Sequence, residues 1–132
     1  MTTTDMVSTK RKNTPSYLHE FPNYDDTLRM IAGFDDGSYH NDAMPCILKE
    51  VYLGNETENP DYIIYVYQDY KNRNLSEIEI DPTTKYLRYS VDVMDREGYF
   101  TNLLTTNSWD SAKKCALKTI SDLCAQHGDG AF

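Results

Sequence analysis

The sequence predicts an α+β fold. It should contain an antiparallel β-sheet of about five strands in meander order, a long C-terminal helix packed on one face, and a short N-terminal helix. Three observations carry that expectation. The C-terminal segment repeats apolar residues at three- and four-residue steps, the mark of a helix with one buried face. The middle of the chain is a series of short β-branched and aromatic runs, with turn tetrapeptides Asp81-Pro82-Thr83-Thr84 and Asp95-Arg96-Glu97-Gly98 between them. The 132 residues, 39% hydrophobic and 12% aromatic, suffice for one ordinary core.

At the N-terminus, residues 1–15 read as a flexible tail, Thr-rich and carrying the basic run Lys10, Arg11, Lys12. Residues 16–132 read as a single domain. The tail has no apolar h-region, and no stretch approaches the ~18 apolar residues of a membrane span, so a cytoplasmic, membrane-free protein is expected. Cys46, Cys115 and Cys124 are odd in number and form no C-x-x-C pair, which fits reduced thiols.

A short helix is expected over 23–33. Asn23 would be its N-cap, Asp25 and Asp26 its acidic first turn, and Gly33 its left-handed stop, with Leu28, Ile31 and Ala32 as a narrow stripe. A polar loop follows to Pro45. Strands are then expected at 46–53, 62–68, 75–81, 85–93 and 98–104. The run Tyr62–Gln68 is apolar at both parities, which predicts a strand covered on both faces or one whose second face is an aromatic surface. Pairing 75–81 with 85–93 so that Ile80 meets Leu87 and Ile78 meets Tyr89 sets apolar against apolar and Glu79 against Arg88. Extending the meander places Val91 by Phe100 and Leu87 by Leu104. One face would then be core: Ile78, Ile80, Leu87, Tyr89, Val91, Val93, Phe100 and Leu104. The other would carry Glu77, Glu79, Asp81, Tyr86, Arg88, Ser90, Asp92, Tyr99 and Thr101.

The C-terminal helix is the clearest element. Ser108 can cap it. Trp109, Ala112, Ala116, Ile120, Leu123 and His127 form its stripe, Leu117 widens it, and Gly128 is the expected stop.

Charge narrows the function. With 13 Lys+Arg against 21 Asp+Glu the chain carries −8, and without the tail's Lys10, Arg11, Lys12 and Asp5 it carries 10 basic and 20 acidic groups. Such a body repels phosphate, so direct nucleic-acid binding is disfavoured. No P-loop, G-x-G-x-x-G or G-x-S-x-G occurs, and no cofactor is implied. Cys124 with His127, and His40 with Cys46, match no common zinc spacing, so no metal site is expected. The carboxylate pairs Asp25/Asp26, Asp35/Asp36 and Glu77/Glu79 read first as solvated surface, since acids fill every segment.

Tyrosine is the unusual feature: 11 Tyr against 4 Phe and 1 Trp. Its amphipathic ring favours binding surfaces. The leading expectation is therefore a non-enzymatic protein-interaction module, an inhibitor that docks an acidic, Tyr-bearing sheet face on a basic partner. That partner would be a nucleic-acid-binding enzyme, as for anti-restriction or anti-CRISPR type phage proteins and nuclease-immunity proteins. The binding residues would be Glu77, Glu79, Asp81, Tyr86, Asp92 and Tyr99, with Glu50, Glu56, Glu58 and Asp61 as a second acidic surface. One alternative is a single-stranded nucleic-acid binder stacking bases on Tyr65 and Tyr67. Another is a small enzyme using Glu77, Glu79, His40 or Cys124. An exposed aromatic face also allows a homodimer.

Overall fold

The computed structural model describes residues 15–54, 58–78 and 83–131. The elements are α1 (Ser16–Glu20), β1 (Asp35–Asp36), β2 (Cys46–Val51), β3 (Tyr62–Gln68), a 3-10 turn (Arg73–Leu75), β4 (Tyr89–Asp95), β5 (Phe100–Thr106) and α2 (Trp109–Ala131). The five strands form one antiparallel sheet whose spatial order repeats the chain order. The α+β class, the meander and the long C-terminal helix on one face are thus as the sequence predicts. Among the described residues no helix is long and apolar enough to cross a membrane.

The core lies between the sheet and α2. Alternation along β3 turns Ile64 and Val66 toward the helix, and Tyr89 and Val91 of β4 join them, as do Ile47 and Val51 of β2. Burying each such aliphatic side chain contributes about 2 kcal/mol. On α2, Ala112 and Ala116 are 0% exposed; two small residues four apart give a smooth strip that lets the helix lie close to the strands. Trp109, Cys115, Ile120 and Leu123 pack around them, and the Trp109 ring sits 5.6 Å from that of Tyr89. Leu117, expected to widen this stripe, is exposed, and Cys115 takes that role. Ser108 caps the helix as expected, its Oγ accepting the Ser111 N–H at 3.1 Å. The helix does not stop at Gly128 but continues to Ala131.

The short N-terminal helix sits earlier than expected. It is α1, and residues 23–33 form an irregular strap instead. The carboxylates read as a helical first turn serve long-range contacts. Asp25 accepts the backbone N–H groups of Lys71 and Asn72, both at 2.7 Å, and Asp26 pairs with Arg88 at 2.8 Å. Leu28, Ile31 and Phe34 are buried at three-residue spacing, so the strap imitates a helical stripe without being one. Gly33 does adopt a left-handed conformation (φ +88°), in a turn rather than at a helix end.

Strand pairing departs from the expected register. Residues 75–78 do not pair with β4; Leu75 ends the 3-10 turn and 76–78 follow it, while Glu79, Ile80 and Asp81 lie outside the described residues. Tyr89 lies opposite Gln68 and Thr106, not Ile78. Side-chain bonds hold the 69–76 segment as a turn: Ser76 Oγ donates to Asp69 at 2.8 Å, and Tyr86 donates to the Tyr70 carbonyl at 2.7 Å. The β-branched run of β3 takes β4 instead. The fifth strand comes from β1, inside the segment read as a loop. Ile78 and Leu87 are consequently exposed rather than core.

The β4–β5 hairpin closes through Gly98 (φ +90°), with Asp95 Oδ1 accepting the N–H groups of Glu97 and Tyr99 at 3.0 Å each. Val91 faces Leu104 rather than Phe100, and a register shift after Val91 leaves Leu103 as an extra residue. That bulge turns Phe100 onto the face away from α2, where it is 54% exposed.

Candidate functional site

The sheet face opposite α2 is built from three rungs. Cys46, Tyr67, Ser90 and Thr105 form one; Leu48, Tyr65, Asp92 and Asn102 the next; Glu50, Ile63, Met94 and Phe100 the third. Asp35 extends the middle rung onto β1. These strand positions include three carboxylates and no Lys or Arg. The 37–44 loop covers the Cys46 end. Gly37 lies so close to Leu48 that a Cβ there would sit 2.3 Å from Leu48 Cδ2.

Aromatic rings form the centre. Tyr65 and Tyr67, two apart on β3, project side by side with centroids 5.7 Å apart and planes 13° from parallel. Phe100 adds a third ring 5.4 Å from Tyr65, across β4, through the bulge. Asp92, the cross-strand neighbour of Tyr65, is fixed by two donors to Oδ1: Asn102 Nδ2 at 2.7 Å and Ser90 Oγ at 3.1 Å. Asn102 Nδ2 also reaches Ser90 Oγ at 2.9 Å, so the three polar side chains close on one another.

Beside Tyr67 a cavity of about 230 Å³ is lined by Asp42, Ala43, Met44, Tyr67, Ser90 and Asp92. Burial pushes the Asp42 carboxyl above its ordinary range. The Tyr67 hydroxyl is also pushed up, first by burial and then by its proximity to the ionisable groups of Cys46, Asp42, Tyr65 and Asp92, of which the two carboxyls are the acids. A cation entering the cavity would meet two carboxylates and an aromatic wall, the chemistry that receives a Lys or Arg side chain. A second cavity of about 310 Å³, with Ile78, Lys85, Tyr86, Leu87 and Arg88 in its wall, shares Met44 and Ser90 with the first, so basic groups adjoin the acidic rungs at this end.

Of the six residues singled out from sequence, Asp92 alone stands among these rungs. Glu77 is exposed just beyond the 3-10 turn and off the sheet; Glu79 and Asp81 lie outside the described residues. Tyr86 is half-buried and spends its hydroxyl on the Tyr70 carbonyl. Tyr99 is 72% exposed at the β4–β5 turn. The structure therefore does not gather Glu77, Tyr86, Asp92 and Tyr99 on one sheet face, because the pairing that would have done so is replaced by β3 with β4. In the second acidic group, Glu50 stands on the open face and Glu58 is exposed, while Glu56 is outside the described residues. Asp61 is buried, paired with Arg96 and accepting the Leu53 N–H, so it braces a turn.

The remaining candidates lie apart. His40 bonds Glu20 at 2.8 Å on the surface, and Cys124 is exposed on α2. Cys46 is buried in β2, where burial pushes its thiol up to about 12. Among the described residues no three His, Cys, Asp or Glu side chains are grouped to hold a metal. Tyr65 and Tyr67 were visible in sequence as part of the both-parity run; Asp42 and Phe100 were missed. Comparison with protein-family models, curated proteins and solved structures found no match.

Proposed function

We propose that this protein is a non-enzymatic interaction module that inhibits a basic, nucleic-acid-binding partner protein by docking the face opposite α2 upon it. The observation that carries the reading is the near-parallel Tyr65–Tyr67 pair set among Asp42, Glu50 and Asp92, on strand rungs that contribute no Lys or Arg. Rigid aromatic rings supply contact area at low entropic cost, and the flanking carboxylates attract a surface built for phosphate. The chain's net charge of −8 adds long-range attraction to any such partner.

The test uses paired baits: the intact protein, and a Tyr65→Ala/Tyr67→Ala/Asp92→Lys variant checked for folding. The expected result is a basic nucleic-acid-binding protein retained by the first, lost by the second, and displaced by added duplex DNA. Equal retention by both baits overturns the proposal. The near-parallel rings also favour a second reading, base stacking on a single strand. A labelled oligonucleotide bound with steeply falling affinity as salt rises would establish that reading in place of the first.

A further inference from the structure

We propose that β5 is a pairing edge for a second copy of this chain, giving a two-fold dimer whose two sheets run continuously from one protomer into the other. This edge is distinct from the open face and can pair whatever that face binds.

A sheet has two edges, and here they differ. β1 is two residues long and acidic, and Asp36 is engaged by the backbone N–H groups of Tyr17 and Ser38. β5 is seven residues long, and among the described residues no strand lies beyond it. Its outward N–H and C=O groups form a ready template for another strand. Natural edges are guarded by charge, by proline, by brevity or by a bulge. Of these guards β5 has only the bulge at Leu103. Its sequence, FTNLLTT, is rich in β-branched and apolar residues, with Phe100 and Leu103 exposed. The bulge at Leu103 bends the strand, but residues on both sides of it remain paired to β4.

Charge decides which partner fits. Gly98 to Trp109 is the longest run in the chain without Asp, Glu, Lys or Arg. Two molecules of net charge −8 repel one another, so self-association requires a strip from which carboxylates are missing. A basic partner gains nothing from such a strip, whereas a second copy finds in it a contact free of like-charge penalty. Antiparallel pairing of two identical strands is two-fold symmetric, so each protomer supplies what the other needs and the assembly closes at two.

Sedimentation of the full chain between about 1 and 200 µM tests this. The expected result is a reversible monomer–dimer equilibrium that tightens several-fold when salt rises from about 50 to 500 mM, because screening removes the net repulsion. Leu103→Lys with Thr105→Lys should weaken the dimer at least about tenfold, although it lowers the net charge, because it places cations on facing edges. In the unaltered protein, amides of 100–106 should gain hydrogen-exchange protection with concentration while those of β1 do not. A monomer throughout the range overturns the proposal, as does a dimer indifferent to the two lysines. So does one that salt dissociates, which would indicate docking of the acidic face on Lys113, Lys114 and Lys118 of a second α2.

Discussion

The Gln68 carboxamide, 1% exposed at the end of β3, clasps the strap at Arg29: its Oε1 accepts the Arg29 N–H at 2.9 Å, and its Nε2 donates to the Thr27 carbonyl at 2.8 Å. One side chain thus satisfies main-chain groups on both sides of Leu28. Gln68→Leu should leave both unpaired and destabilise the fold by about 3 kcal/mol, seen as a lower urea midpoint and a Tm reduced by roughly 10 °C. Gln68→Glu should lose less only at acid pH, where the protonated carboxyl can accept from Arg29 and donate to the Thr27 carbonyl; ionised, it would bury a charge against that carbonyl. Equal stability of Gln68→Leu and the parent protein would show that the strap is held by Leu28, Ile31 and Phe34 alone.

Two carboxylates should respond to pH with opposite sign. Burial works to raise the Asp26 carboxyl, but bonds from Arg88 and the Thr27 N–H outweigh it and hold the group below its ordinary range. Its contribution is present above the unfolded value of about 3.9 and is lost as pH falls through the lower folded value. Asp42 is raised by burial, so its ionised form opposes folding near neutral pH, and that opposition disappears as pH falls through its folded value. Asp26→Asn should therefore cost about 1–2 kcal/mol near neutral pH and flatten the acid limb of the stability curve, whereas Asp42→Asn should be neutral or stabilising there. Urea unfolding as a function of pH reads both.

Gly37→Ala should displace Leu48, whose Cδ2 and Cγ would lie 2.3 and 2.9 Å from the new Cβ. A loss of about 1–2 kcal/mol is expected. Combined with Leu48→Ala, the added cost of the Gly37 change should nearly vanish, and a double-mutant cycle measures that coupling.

Tyr86 and Tyr65 should separate stability from docking. Tyr86→Phe removes the bond to the Tyr70 carbonyl and should cost about 1 kcal/mol while leaving capture of a partner unchanged. Tyr65→Ala should change the partner's dissociation rate far more than Tyr86→Phe does. The reverse ranking would place the binding surface around Tyr86 instead.

Thiol labelling should proceed in order of exposure. Cys124 is exposed and should react first, Cys115 is half-buried, and Cys46 is buried with its thiol pushed up to about 12. Cys46 should modify only at the rate of unfolding, so its labelling in rising urea should track the global transition.

What the sequence disclosed was what local physics decides. Ser108, the Trp109–Ala112–Ala116–Ile120 stripe and the Asp95–Gly98 turn depend on neighbours within one or two helical or hairpin steps. The both-parity pattern of β3 likewise exposed Tyr65 and Tyr67. Distant partners were invisible. The strap reads as a helix because Leu28, Ile31 and Phe34 share helical spacing, and what competes with helix is a carboxamide 39 residues away. Likewise Ile78 against Tyr89 was a sound local match, but β3 offered β4 a longer β-branched partner. Phe100 joined the open face through a bulge at Leu103 that leaves no mark in the hydrophobic pattern.

Because strand order repeats chain order, a ribosome can deliver the meander one hairpin at a time, each new strand finding its neighbour already in place. The helix that shields Ile64, Val66 and Val91 emerges only afterwards. During that interval the nascent chain shows the cell two bare surfaces, and the greasier one is temporary. Chaperones that survey newborn proteins would meet that surface first, whereas the tyrosines on the reverse stay uncovered by α2 in the finished molecule.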